Sequence, residues 1–185
     1  MIRELSANNN SDPDLYASRE DFHTIFNENL NELYQLSLLL TRDPETAEQC
    51  FVGGVEDCVA GNAVFREWAR SWAKRVIIQN AIRELKPRPR QSNSPRSGAI
   101  FPNIDELSRG LGGYVEMDAV LRLADFERFV FVMSVLEHYS EHACALLLEC
   151  SDREVRDGRT RALKELAHLP HLDCSENKIV VDEKK

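Results

Sequence analysis

From Glu20 to Thr41 the apolar residues Phe22, Ile25, Phe26, Leu30, Leu33, Leu36 and Leu40 recur at steps of three and four. That spacing lays an apolar stripe along an α-helix and cannot line one face of a strand, whose side chains alternate with a period of two. No other segment alternates apolar with polar residues either, and nothing repeats at a fixed period. An all-α fold is therefore expected. "TRDPET" ends this first helix and starts another, with Asp43 as N-cap and Pro44 at the first helical position, where a missing N–H costs nothing. The second helix is predicted through "ETAEQCFVGGVEDCVAG", weakened by Gly53 and Gly54 and broken at "GNA". The third runs from Val64 to about Leu85.

The stretch "KPRPRQSNSPRSG", Lys86 to Gly98, holds three prolines, three serines and no apolar residue. It reads as an extended linker between two small helical domains. Beyond it, helices are expected near Val115 to Leu123, over Phe126 to Glu137, from Ser140, and from Ser151. Ser151 with Glu154 three residues on forms a capping box, which fixes the last helix start. The resulting layout is a flexible N-terminus (1–19), a helical domain (20–85), the linker (86–114), a second helical domain (115–168) and a ragged tail (169–185).

Charge is distributed against the grain of the whole. The net charge is -8, yet residues 63–97 carry 9 basic and 2 acidic groups. Both tryptophans sit in the same segment, "VFREWARSWAKRVIIQNAIR". On a helix, Phe65, Trp68, Ala69, Trp72 and Val76 share one face, and Arg66, Arg70 and Lys74 stack one turn apart on another. Arg83, Lys86, Arg88, Arg90 and Arg96 extend the positive field. The expectation is a tryptophan-anchored core helix whose cationic rim faces solvent. A local field of this kind acts within a Debye length of about 8–10 Å, so it would meet a phosphate backbone despite the acidic total. Aromatic rings beside cations also suit unstacked bases.

In the second half, "SEHACALLLE" and "SDREVRDGRTRALKEL" are joined by the tight turn at Cys150 and Ser151, the build of a helix-turn-helix. Val155, Ala162, Leu163 and Leu166 face inward. Arg153, Arg156, Asp157, Thr160, Arg161 and Lys164 point outward, as side chains of a recognition helix would. Arg159 falls on the inward stripe, and Gly158 costs the helix about 1 kcal/mol relative to alanine.

Other chemistry is sparse. There is no Gly-rich phosphate loop, Gly-x-Ser-x-Gly elbow or paired metal-binding His motif, so an enzyme is not expected. His168, His171 and Cys174 have the side chains of a zinc site, but a proline interrupts them and no fourth ligand is evident; neither metal nor cofactor is expected. His138 and His142 are read as partly buried structural residues. The five cysteines, odd in number and irregularly spaced, are read as reduced and mostly buried, with Cys50 and Cys58 in the core. No apolar run reaches the roughly 18 residues of a membrane span, and the N-terminal segment lacks a signal-peptide core. A cytoplasmic protein without membrane contact is expected.

The order of these parts resembles the extracytoplasmic function class of bacterial RNA polymerase sigma factors. "LYQLSLLLTRDPETAE" is similar to that family's leucine-rich helix and following Asp-Pro turn, "FREWARSWAKRVIIQNAIREL" to its Trp helix, and "FVFVMSVLEHYSEHACALLLECSDREVRDGRTRALKEL" to its promoter-reading second domain. The resemblance implies partnership with core RNA polymerase and promoter DNA, and admits an anti-sigma protein. Arg66, Arg70, Lys74 and Arg75 would hold DNA near the melted minus-ten region, with the "AGNAV" loop where the family captures a flipped base. Arg153, Arg156, Thr160 and Lys164 would face the minus-thirty-five duplex. Glu48, Gln49 and Val52 would lie on the polymerase-binding face, although "QCFVGG" replaces the polar run usual there. The alternative expectation is a sigma-derived adaptor or regulatory module that has lost polymerase or DNA binding.

Overall fold

The computed structural model describes residues 15–61, 63–90 and 117–168. Among these residues the chain is helical, with no strand beyond one isolated bridge between Tyr16 and Phe65. Before the linker come α1 (Arg19–Glu28), α2 (Leu30–Thr41), α3 (Pro44–Ala60) and α4 (Ala69–Leu85), the last entered through a 3-10 turn at Arg66–Trp68. After it come α5 (Met117–Arg122), α6 (Asp125–Phe131), α7 (Glu141–Leu148) and α8 (Asp152–His168). A π turn at Val132–Leu136 extends α6.

The single helix expected over Glu20 to Thr41 is two. Asn29 leaves helical geometry at φ -111° and ψ 23°, and its side-chain amide donates to the Ile25 carbonyl at 2.8 Å. A short amide side chain competes there with the backbone for a helical acceptor. Leu30 consequently turns outward and is 49% exposed, while Phe22, Phe26, Leu33, Leu36 and Leu40 are buried. Asp43 caps α3 by accepting from the Thr46 N–H at 2.8 Å, with Pro44 at the first helical position. Gly53 and Gly54 do not interrupt α3. A Cβ on Gly54 would lie 2.9 Å from Ile77 Cγ1, so the missing side chain is what lets α3 close onto α4.

After the linker the caps fall where the sequence places them. Ser140 accepts from the Ala143 N–H at 3.1 Å to start α7. At α8 the capping box closes, with Ser151 N–H donating to Glu154 at 2.8 Å and Glu154 N–H donating to Ser151 Oγ at 3.3 Å. Val155, Ala162, Leu163 and Leu166 are buried as expected. Gly158 is buried too, and its place against α6 gives it a purpose that helix propensity does not: an added Cβ would sit 2.8 Å from the Phe126 ring.

The segments on either side of the linker share one buried cluster, which runs from Phe22 and Leu33 to Phe129 and Leu163. Arg128, fully buried, joins them. Its guanidinium donates to the Leu40 carbonyl at 2.9 and 3.1 Å, to the Leu123 carbonyl at 3.0 Å and to Asp125 at 2.9 Å. Leu40 belongs to the last turn of α2, where carbonyls lack helical partners and carry partial negative charge, so a buried cation is well matched. Arg42, which ends α2 in the left-handed region at φ 65°, adds a 2.8 Å pair to Asp125. The linker does not begin as free chain. Pro87 is buried, and Arg90 Nε lies 3.7 Å from the buried carboxylate of Glu127. Its later residues, and the tail from 169, lie outside the described residues. No helix among those described is long and apolar enough to cross a membrane.

Candidate nucleic-acid interface

The segment entering α4 is pinned by backbone before any side chain acts. Ala17 N–H donates to the Val64 carbonyl at 2.8 Å, and Arg66 N–H donates to the Leu15 carbonyl at 2.9 Å. Tyr16 stacks on Phe65 at 4.9 Å between ring centres, and Phe65 meets Trp68 edge-on at 5.2 Å. Of the aromatic residues expected inside, only Trp72 packs against the core. Trp68 is 57% exposed, Phe65 is exposed as well, and Trp72 is half-buried. The buried face of α4 is instead Ala69, Ala73, Val76, Ile77, Ile78 and Ala81. The expectation of tryptophans inside is thus corrected for Trp68, which is exposed, and holds in part for Trp72, which packs against the core beside the small and aliphatic residues of α4.

The cationic rim exists but is not open. Arg66 lies 3.2 Å from Asp21, Arg70 pairs with Glu32, and Lys74 sits between Glu32 and Glu137, 2.8 Å from each. The expected bare face is therefore corrected to one met by the protein's own carboxylates. Hydrogen bonds from Lys74 and Arg70 hold the Glu32 carboxyl below its ordinary range. Burial alone would lower the Lys74 ammonium, but hydrogen bonds to Glu137 and Glu32 outweigh it and keep it above its usual value. The pairs differ in strength. Arg66 and Arg70 keep 50% and 58% of their side-chain surface, and such exposed pairs are worth about 0–1 kcal/mol, little enough for a phosphate to displace. Lys74 keeps 22% and its partner Glu137 only 16%. Arg75, also expected to meet DNA, is half-buried, with no carboxylate in ion-pair range among the described residues.

On α8 the arginines fold back in the same way. Arg156 and Arg159 reach Glu141 on α7 at 3.1 and 2.6 Å, and Arg161 reaches buried Glu127 on α6 at 2.7 Å. Arg153 lies 3.8 Å from Asp157, one turn on. The Thr160 hydroxyl donates to the Arg156 carbonyl at 2.9 Å, and Lys164 is exposed. Of the outward set, Arg161 is partly withdrawn from solvent by its pair. Arg159, placed by periodicity on the inward stripe, lies at its edge, 23% exposed at the side chain.

Glu48, Gln49 and Val52 project together from the outer face of α3, with Val52 46% exposed. Of the "AGNAV" loop, Asn62 is outside the described residues and Val64 is buried. His138 and His142 are exposed rather than partly buried, His142 lying 3.5 Å from Asp152. His171 and Cys174 lie outside the described residues, and no cluster of three metal-ligating side chains occurs within them. Cys50, Cys58 and Cys144 are buried thiols and Cys150 is partly so. Burial pushes Cys58 up to about 12 and Cys144 and Cys150 up to about 11.

A cleft of about 680 Å³ opens beside the rim, walled by Trp68, Trp72 and Arg75 on one side and by Leu136, Glu137 and Tyr139 on the other. The acids that pair the rim were not legible beforehand. Glu32 lies 42 positions from Lys74 and Glu137 lies 63 away, and only the fold brings them together. No protein-family model matches the chain, and the search of curated proteins returns no match.

Proposed function

We propose that the chain is a sigma-factor-like transcription-initiation protein in a closed form. With core RNA polymerase it recognises promoter DNA, does no covalent chemistry itself, and exposes its α4 rim when the segments flanking the linker part. What supports this reading is the line of Arg66, Arg70 and Lys74 along one rim of α4 beside the exposed Trp68. The carboxylates that meet that rim count against it, so the reading requires a closed form whose key contact is at Lys74. Lys74 is held by Glu32 from its own side of the linker and by Glu137 from the other, both at 2.8 Å. The two carboxylates stand where phosphates of a DNA strand would stand. Arg66 and Arg70 exchange their exposed pairs for phosphates at small cost, whereas freeing Lys74 requires withdrawing Glu137. In the open form α7 and α8 act as a helix-turn-helix, Arg153, Arg156, Thr160 and Lys164 face duplex DNA, and Glu48, Gln49 and Val52 meet the polymerase.

A second reading, a sigma-derived adaptor that no longer binds DNA, is favoured by one observation: Arg156, Arg159 and Arg161 on α8 are turned onto Glu141 and Glu127. One experiment separates the two. Purified chain is mixed with core RNA polymerase, any complex is isolated, and transcription is assayed on genomic fragments. A sigma-like protein associates and starts transcripts at defined positions, and replacing Arg66, Arg70 and Lys74 together by Ala abolishes initiation while leaving the helical content unchanged. Failure to associate leaves the adaptor reading in place.

A further inference from the structure

The cleft between α4 and the turn at Leu136–Tyr139 has a composition that DNA shielding does not require. Its aromatic walls come from both sides of the linker: Trp68 and Trp72 before it, Tyr139 after it. A volume of about 680 Å³ falls in the range of small-molecule sites. Trp68, 57% exposed, offers indole surface at the mouth.

The charge balance selects the ligand. Arg70, Lys74 and Arg75 line the cleft with Glu32 and Glu137, three cations to two carboxylates. Glu32 and Glu137 are taken up by Arg70 and Lys74. Arg75 is left over. It is half-buried, sits close enough to Tyr139 to bear on its hydroxyl, and has no carboxylate in ion-pair range among the described residues. A partly buried guanidinium beside aromatic rings is matched by an anion attached to a flat ring, because the ring covers the indoles while the anion meets the planar fork.

We propose that this cleft binds a small planar aromatic ligand carrying a single negative charge. Arg75 receives the anion, and Trp68, Trp72 and Tyr139 enclose the ring. Because the walls belong to segments on both sides of the linker, such a ligand binds the packed arrangement and stabilises it. The inference needs only that packing and does not depend on the transcription reading.

Calorimetric titration of the full chain tests it. Cyclic AMP, a base joined to a phosphodiester monoanion, and indole-3-acetate, a ring joined to a carboxylate, are the two aromatic probes. Adenosine supplies a ring without charge, and inorganic phosphate a charge without a ring. At least one aromatic anion is expected to bind saturably at one site, about 10-fold or more tighter than adenosine or phosphate, and which one binds identifies the anion source. Arg75→Gln and, separately, Trp68→Ala at the exposed mouth are each expected to weaken it about 10-fold. The proposal is overturned when neither aromatic anion binds more tightly than both adenosine and phosphate, or when binding survives either substitution in a variant shown by circular dichroism to remain folded.

Discussion

Gly158 is the residue whose meaning changes most between sequence and structure. Read on its own helix it is a loss of about 1 kcal/mol against alanine, and restoring alanine looks favourable. In the fold an added Cβ would meet Phe126 at 2.8 and 3.2 Å and Val130 at 3.4 Å. Aromatic carbons cannot swing aside as the end of a flexible chain does, and overpacking of this kind costs about 1–3 kcal/mol. Gly158→Ala is therefore expected to lower stability by about 1 kcal/mol net, read as a lower urea midpoint at unchanged slope. Arg128 carries the opposite lesson. Nothing in "DFERFVF" announces that its arginine will be fully buried with its donors on Leu40, Leu123 and Asp125. Arg128→Ala removes charge-assisted hydrogen bonds and opens a cavity, and a loss of about 3 kcal/mol is expected in the same measurement. The Cys50 and Cys58 thiols are buried as expected, Cys144 is buried with them and Cys150 partly so, while Cys174 lies outside the described residues. Their raised values, about 11 to 12 for Cys58, Cys144 and Cys150, leave about a thousandth or less as thiolate at pH 8. Alkylation mapped by mass spectrometry should be slow at these three sites in the native chain and accelerate about 100-fold on denaturation.

At the scale of elements, the local signals were legible and the long-range ones were not. Asp43 with Pro44, Ser140, and Ser151 with Glu154 all cap the helices assigned to them, because a cap is a contact over three residues. The apolar stripe of α8 was equally readable. The break at Asn29 is not visible in the apolar period, which runs straight across it; there the Asn29 backbone N–H and side-chain amide both donate to the Ile25 carbonyl. Trp68 lies outside the core while Trp72 packs on it, because periodicity gives a face without saying how far along that face the neighbouring helices reach. The ion pairs on α4 lay beyond any local reading, and they set a pH window. Hydrogen bonds from Lys74 and Arg70 hold the folded-state pKa of Glu32 below its ordinary 4.5, so its contribution is complete above about that pH and fades as pH falls through the lowered folded value. Lys74 has a folded-state pKa above 10.5, so its contribution is complete below that pH and is lost as pH rises through the raised value. The pairing at Lys74 should be insensitive to pH from about 5 to 10 and weaken outside that span, with the acid limb reduced in Glu32→Gln. Chemical denaturation across pH checks this, and since Glu32 is partly solvated the acid limb should amount to no more than about 1 kcal/mol.

For the whole molecule, an all-α chain was evident from spacing alone, while the packing of its two parts on each other was not. Arg128 on Leu40, Arg42 on Asp125 and Lys74 on Glu137 join residues from opposite sides of the linker, and Arg90 ties the start of the linker itself to Glu127. On α4 itself Arg70, Lys74 and Arg83 meet Glu32, Glu137 and Asp57, so much of the positive field in a chain of net charge -8 is offset by the protein's own acids, with Arg75 left without a carboxylate in ion-pair range among the described residues. The proposed function requires that Glu32 and Glu137 stand where DNA phosphates would bind on the α4 rim. Its most direct test is the affinity of the full chain for a fluorescent single-stranded oligonucleotide over a range of salt, compared with the double variant Glu32→Gln, Glu137→Gln. The double variant should bind more tightly, with a log–log salt slope steeper by roughly one to two as Lys74 and Arg70 take up phosphates. Equal affinities and equal slopes in the two proteins would contradict it.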